Sequence, residues 1–571
     1  MEKLKALRNE MAKRGIDTVI ITKKDPHQSA YSPAYWNGVQ FISGFSGSNG
    51  VVVVSQTTAG LWTDGRYNIQ AARELEGSGI NVFIETEPGT PNHMEYANGV
   101  VAFDGRTLSM KKGMRLLKKQ LTLKTDEDIL NNIWADRPPL SKEKLFHHNI
   151  EYCGQSHQQK LAALREGMAK EKADLCLICS LDDIAWLFNL RGRDTPSSAL
   201  FAAYAVVGFE VVALFVDLDK ASGITSEGFL LKPYEAVAGY LQSIGQNKSI
   251  LLNPNNTPFS LYQAIKHFKL LQSPTDITTK LKAIKNPVEL KNLELVNVRD
   301  GAAMVRLIMW LKERIAAETI TECDVANKIT ALRAADKRFL GPGFDTIAAY
   351  MANAAMMHYN PRVGQNSMLK PEGVILIDSG GLYLDGATDI TRTIALGPVS
   401  AQMKKDFTLV LKAHIALAQT IFLYGATGSN LDTIPRKLMW DNCLDYKSGT
   451  GHGLGFCLNV HEGPQKISMQ PNPVKLEAGM VVTNEPGVYR EGEYGIRTEN
   501  TLRVVEHKEN AFGKFLRFET FSYCPIDREL IEPSMLTEEE KNWLSAYHST
   551  VYKNLSPILT DEERDWLHKT L

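Results

Sequence analysis

The sequence predicts two related α/β domains followed by a larger α+β domain of long helices and short strands. Three observations carry this. The 571 residues exceed what one core ordinarily organises, so two to four domains are expected. A helix-then-strand unit occurs twice: Leu7-Arg8-x-x-Met11-Ala12-Lys13-x-x-x-Asp17 returns as Leu164-Arg165-x-x-Met168-Ala169-Lys170-x-x-x-Asp174. Beyond residue 281 the pattern changes to a long helical face, with Leu290, Leu293, Val296, Met304, Leu307, Ile308, Leu311 and Ile315 spaced for one side of a helix.

The elements follow in order. Each copy of the repeat runs into an apolar strand, Thr18 to Ile21 or Leu175 to Ile178, and then an aromatic-rich turn, around Tyr35-Trp36 and around Trp186-Leu187-Phe188. Pro138-Pro139 and the polar stretch Ser141 to Asn149 mark a break, which places domains at 1–150 and 151–280. The third domain, 281–571, opens with Asn286 as a cap, Pro287 at the first helical position and Glu289 in the dipole-favoured first turn. A second long helix is expected from Lys404 to Phe422. Two capping boxes, Thr537-x-x-Glu540 and Thr560-x-x-Glu563, start short tail helices carrying Trp543 and Trp566, an ordered terminus docked on its own domain or on another subunit.

Composition narrows the function classes. Hydrophobic content of 44% with 23% charged residues is that of a soluble globular protein. The net charge of −1 argues against nucleic acid or an anionic membrane as the main partner. Met1-Glu2-Lys3-Leu4-Lys5 enters a charged helical pattern with no apolar signal-peptide core. The most apolar region, Phe201 to Val216, is interrupted by Gly208 and Glu210 and reads as paired strands. Seven scattered cysteines suit a reducing compartment. Cys176 and Cys179 sit three apart on a strand, facing opposite sides, so they read as buried thiols rather than a metal or redox motif.

The chemistry gathers downstream. Residues 374 to 393 read as a strand ending in Asp378, a Gly380-Gly381 turn, and a second strand carrying Asp389. Two carboxylates side by side in an apolar stretch carry a large desolvation cost unless cations neutralise them. Taken alone, both residues serve equally well as turn caps. Three further residues add to them: His452 in the glycine-rich loop Gly449 to Gly455, Glu485 ending a short apolar run, and Glu499 placed likewise fourteen residues later. Four carboxylates and one imidazole suit two hard-to-borderline divalent metals better than a thiolate-bound zinc. The His452 loop is no dinucleotide cradle, because Leu454 or Phe456 falls where G-x-G-x-x-G needs its last glycine. His461-Glu462-Gly463-Pro464 lacks the second histidine of H-E-x-x-H. His358 and His461 read by themselves as hydrogen-bonded structural residues, and Arg66 as a turn arginine.

The stretches HQSAY, FISGFSGS, LWTDGRYNIQAA, LDDIAWLFNLRG, MMHYNP, LIDSGG, TDITRT, GTGHGLG, LNVHEGP, TNEPGVY and GIRTEN run nearly end to end. Together they resemble the three-domain Xaa-Pro aminopeptidases (aminopeptidase P) among the pita-bread metallopeptidases, peptidase family M24. The resemblance implies a duplicated creatinase-like N-terminal region and a pita-bread catalytic domain. It implies an exopeptidase that releases the residue before a penultimate proline, using two divalent ions, most commonly manganese, with zinc or cobalt as alternatives. Asp378 would chelate one ion, Asp389 and Glu499 would bridge, and His452 and Glu485 would complete the other, with Glu485 also the general base. A water shared by two such ions has its pKa lowered towards neutrality. His358 and His461 would contact substrate and stabilise the tetrahedral intermediate, Arg66 would bind substrate from the first domain, and Arg497 would brace a ligand carboxylate. Ser448 stands where the family often has histidine, which touches the leaving-group pocket and not the ligand set. A homodimer in the cytoplasm, with no nucleic-acid or membrane partner, completes the expectation. The rivals are a prolidase cleaving Xaa-Pro dipeptides, a non-catalytic peptidase-like binding module, and a metal-free creatinase-like hydrolase. The last two are disfavoured because all five ligand positions are present.

Overall fold

The computed structural model describes residues 2–362 and 366–571. It comprises two compact units, Met1–Asn149 with Gln155–Lys282, and Ile150–Gly154 with Ala283–Leu571.

The first unit holds both copies of the repeat. The helices Glu2–Lys13 and His157–Lys170 each bury one leucine-methionine stripe, Leu7 with Met11 and Leu164 with Met168. Each feeds the central strand of a six-stranded sheet. The first sheet comprises β1 (Thr18–Thr22), β2 (Val51–Ser55), β3 (Ala59–Thr63), β4 (Asn81–Ile84), β5 (Val100–Ala102) and β6 (Thr122–Lys124). The second comprises β7 (Leu175–Ile178), β8 (Ala203–Gly208), β9 (Val212–Val216), β10 (Leu230–Pro233), β11 (Ser249–Leu252) and β12 (Lys269–Gln272). Their orders, β4-β3-β2-β1-β5-β6 and β10-β9-β8-β7-β11-β12, are the same order twice. The strand senses agree as well, antiparallel from β1 to β2 and β7 to β8, parallel from β1 to β5 and β7 to β11.

Local expectations mostly hold here. The apolar stretch 201–216 is the antiparallel pair β8 and β9, with Tyr204 opposite Phe215. No described helix is long and apolar enough to cross a membrane. Cys176 and Cys179 are free and buried, and burial pushes both thiols up, which leaves them unreactive. One expectation is corrected: the segment around Trp186 is not a turn but the helix Leu181–Phe188, almost wholly buried.

The second unit opens on the helix Pro287–Arg314, with the expected cap completed as a capping box. Asn286 Oδ1 accepts from the Val288 and Glu289 amides, and Glu289 Oε2 accepts from the Asn286 amide at 3.0 Å. The second long helix spans Ala401–Ala418, started by Ser400, whose hydroxyl accepts from the Met403 amide. It ends before Phe422, which lies in the strand Ile421–Leu423. Apolar residues continue through Ile421 and Phe422 without a glycine or proline, which hid the end of the helix. Inside lie a three-stranded sheet, Ile347–Tyr350 beside Val374–Ser379 beside Ile390–Ala395, and a six-stranded sheet. The latter runs Ile421–Leu423, Gly513–Thr520, Asn500–Asn510, Val481–Asn484, Gly451–Leu454, His461–Ile467. Met304, Leu307, Leu311, Ile375 and Ile377 pack one core, and Leu417, Phe422, Val482 and Leu502 another. Both tail capping boxes form as expected.

Candidate metal centre

Asp378 lies on the strand Val374–Ser379, opposite Thr391 of the strand Ile390–Ala395. These two strands pair directly, but Gly380-Gly381 is not the turn between them. The chain leaves to build a separate hairpin, Gly381–Tyr383 with Gly386–Ala387, and returns at Asp389. Gly380 is needed for close approach instead, since a Cβ there would meet the Thr388 carbonyl at 2.3 Å. The glycine-rich segment holding His452 is likewise a strand, Gly451–Leu454, rather than a loop. A Cβ on Gly451 would stand 1.9 Å from the Thr483 carbonyl, and one on Gly453 2.0 Å from that of Glu462. Glycine here lets neighbouring strands close in. Glu485 directly follows the strand Val481–Asn484, and Glu499 directly precedes Asn500–Asn510.

These elements bring the acidic residues and His452 together. His452 Nε2 lies 3.4 Å from Asp389 Oδ2 and 3.6 Å from Glu485 Oε1. One donor atom each of Asp389, His452 and Glu499 fall within 4.8 Å of one another. His452 Nδ1 faces the Gly453 carbonyl at 3.0 Å, which leaves Nε2 directed at the carboxylates. Arg497 Nη2 donates to Asp378 Oδ2 at 2.5 Å, and Thr391 Oγ1 donates to Glu499 Oε2 at 2.7 Å. The electrostatics are strained. Burial, then the charges of Asp378 and Glu485, push the Asp389 carboxyl well above its ordinary value. Burial and the neighbouring carboxylates do the same to Glu499, and burial raises Glu485 against the pull of His452 and Arg497.

The remaining site residues stand as follows. The His461 ring lies against that of His452, centroids 3.9 Å apart. His358 follows Met357, whose carbonyl accepts from Arg497 Nη2 at 3.4 Å. Arg66 belongs to the first unit, where its guanidinium binds Asp64 through Nε at 2.7 Å and Nη2 at 2.8 Å. The Ser448 carbonyl accepts from Arg436 Nη2 at 2.6 Å. Sequence reasoning missed Thr391, Thr483 and Tyr489. Thr391 bonds Glu499, Thr483 Oγ1 accepts from the His452 amide at 3.1 Å, and Tyr489 OH accepts from Arg497 Nη1 at 2.6 Å. Only Thr391 left a signal, lying two residues beyond Asp389 in a stretch that reads as strand, although Asp389 itself directly precedes the strand Ile390–Ala395 instead of lying on it.

The donor set fits divalent cations. Asp378 Oδ1 is buried and receives no hydrogen bond from the described residues, an oxygen with an open lone pair inside the protein. Four carboxylates converge where Arg497 is the one guanidinium bound to them among the described residues. Oxygen donors with a single imidazole and no thiolate match hard-to-borderline metals.

Residues 291–506 match metallopeptidase family M24, and residues 514–571 match the C-terminal region of that family. Residues 3–135 and 136–289 match creatinase/prolidase N-terminal domains. Fold and site thus define a hydrolase of the metallopeptidase class. The chain is 37% identical to a probable Xaa-Pro aminopeptidase P of Laccaria bicolor, across 100% of this chain and 92% of that protein. Its structure resembles an X-prolyl aminopeptidase of Caenorhabditis elegans, described as a cytosolic enzyme with a di-nuclear active site. That likeness has a TM-score of 0.95 at 32% identity, over 100% of this chain and 98% of the other. A prolidase of Pyrococcus horikoshii resembles only 65% of this chain, while all of its own length is covered, with a TM-score of 0.52 at 25% identity. The chain belongs to the Xaa-Pro aminopeptidase P family, with the duplicated creatinase-type N-terminal region and M24 catalytic domain of that family.

Proposed function

We propose that the protein removes the N-terminal residue from peptides with proline second, using two divalent cations, manganese by preference. The observation that carries this is the cluster of Asp389, His452, Glu485 and Glu499, with the Asp378 charge acting on Asp389 and one buried oxygen of Asp378 unbonded among the described residues. Asp378, Asp389, His452, Glu485 and Glu499 would hold the two ions. Two such ions, when bound, supply a water of lowered pKa and polarise the scissile carbonyl. The chain supplies the rest. Glu485 takes the proton from the attacking water, as a carboxylate beside His452 can. His358 and His461 donate to the oxygen on which charge develops, and their rings also line the substrate. Arg497 holds Asp378 in place from behind. Arg66 binds a substrate oxygen beyond the proline.

The whole-chain likeness favours this reading over a prolidase, whose likeness stops at about two thirds of the chain. We retain domains at 1–150, 151–280 and 281–571, a homodimer, and a cytoplasmic setting. The cytosolic description of the C. elegans enzyme supports the setting. Sedimentation and cell fractionation test the last two. The decisive assay compares an X-Pro-Y peptide, an X-Pro dipeptide and an X-Ala-Y control, after chelation and manganese add-back. Cleavage of X-Pro-Y alone, restored by metal, is expected. Preference for the dipeptide would favour a prolidase, and full activity without metal would sink the reading.

A further inference from the structure

Glu322 is a carboxylate of the second unit that accepts from four donor groups, and no reading of the ligand set uses it. It opens the helix Glu322–Arg333 and is fully buried. Its carboxylate accepts from the Tyr350 amide at 2.6 Å, the Ser367 amide at 2.8 Å and Tyr359 OH at 2.8 Å. Asn353 Nδ2 donates to both oxygens, at 3.0 and 3.2 Å. The Glu322 amide in turn donates to the Ser367 carbonyl at 3.1 Å. Three of these donors, on Tyr350, Asn353 and Tyr359, lie in the segment from the end of the strand Ile347–Tyr350 to Tyr359, and His358 lies between the last two of them. Next to His358 on one side, Tyr359 is tied to Glu322. On the other side the Met357 carbonyl is tied to Arg497, which also holds Asp378.

The chemistry of the clamp is specific. An ionised carboxylate offers about four lone-pair sites and no proton, and four donor groups converge here. An amide would turn its own N–H₂ against some of them, and alanine would take this acceptor from the Tyr350 and Ser367 amides and from Tyr359, leaving Asn353 only Tyr359 OH and Ser367 Oγ. The Tyr359 ring packs with Ile347, Ala349 and Leu376, so the residue beside His358 is held both by packing and by Glu322.

We infer that Glu322 is a positioning residue for His358, setting the imidazole where it meets the substrate carbonyl. This rests on the substrate role given to His358 above. A group displaced by about 1 Å loses on the order of a hundredfold in rate, so an indirect effect of this kind is measurable.

The test is a double-substitution cycle on the metal-loaded protein, with an X-Pro-Y tripeptide and bound metal measured alongside. Glu322→Gln is expected to lower kcat about tenfold to a hundredfold with metal content unchanged. In the His358→Ala background the same substitution is expected to change kcat little, because the group it positions is gone. Should Glu322→Gln fail to fold, Tyr359→Phe removes one donor and keeps the ring, and is expected to show a smaller loss with the same dependence on His358. Fully additive losses, or unchanged kcat in both variants, would overturn the inference. A failure of the underlying reading looks different: His358→Ala would then itself keep near wild-type kcat.

Discussion

Two sets of buried carboxylates in the second unit meet the cost of desolvation in opposite ways. Glu322 accepts from four donor groups, on Tyr350, Asn353, Tyr359 and Ser367, so its charge is answered by the protein itself. At the metal centre four carboxylates share far less. Arg497 serves Asp378, Thr391 serves Glu499, Thr483 reaches Glu485 at 3.4 Å, and one oxygen of Asp378 has nothing. A buried charge with its donors built in is architecture, whereas a buried cluster without them is a site shaped for cations. Burial alone does not distinguish the two; the donor count does.

The largest way to break this contrast is to remove the base from the unanswered set. Glu485→Gln is expected to lower kcat by about 10²–10⁴-fold with the fold retained, and Asp389→Asn to abolish hydrolysis as well. Steady-state kinetics with circular dichroism checks both, and near wild-type turnover would mean that the centre is misassigned.

Asp64 offers an answered carboxylate in the first unit. Burial alone would raise it, but the hydrogen bonds and charge of Arg66 hold it at about 2. Among the described residues the Arg66 guanidinium bonds Asp64 through Nε and Nη2, and on the substrate role proposed for it Arg66→Ala is expected to cost about tenfold to a hundredfold in kcat/KM, carried by KM, with metal content unchanged. Kinetics on a peptide length series measures it, and unchanged kcat/KM at every length would return Arg66 to a purely local role.

Stability sharpens the same contrast. In the metal-free protein, Glu322→Gln strands buried donors and is expected to cost about 1–3 kcal/mol. Asp389→Asn relieves repulsion among the unanswered carboxylates and is expected to raise the metal-free Tm. Thermal melts in chelator decide it, and shifts of the same sign would erase the distinction.

The smallest effect concerns a buried group that is kept neutral. His414 sits between the Asn484 carbonyl and Asn500 Nδ2, and burial with the Arg392 charge lowers its pKa to about 3. An unfolded histidine binds its proton near pH 6.5, so the unfolded state takes up protons first. Stability from His414 is therefore full above about pH 6.5 and is lost towards pH 3, by about 1.4 kcal/mol per pH unit. His414→Gln is expected to flatten that acid loss between pH 7 and 5 in thermal melts; equal acid sensitivity would clear His414 of the role.

How much of this was legible in the sequence depended on range. Caps and repeats are local, so Asn286, Thr537, Thr560 and the two leucine-methionine helices read correctly. The five acidic and imidazole positions were legible as residues but not as neighbours, since their convergence depends on strands far apart in the chain. Glycine was the systematic trap. Gly380, Gly451 and Gly453 look like turn punctuation, yet each permits a close backbone approach, a property of the partner strand that no local pattern reveals. Glu322 was invisible for a similar reason, because its donors come from residues 28 to 45 positions away.

Two sheets with the same strand order and senses also create a hazard within one chain, because an open edge of one is a template for a strand of the other. The four outer strands, β4, β6, β10 and β12, are only three or four residues long. Three of them carry a lysine, Lys124, Lys232 or Lys269, and β10 closes on Pro233, which has no amide to donate. Short, charged borders make strand addition costly, so the repeated architecture persists as two sheets instead of merging into one or recruiting another molecule.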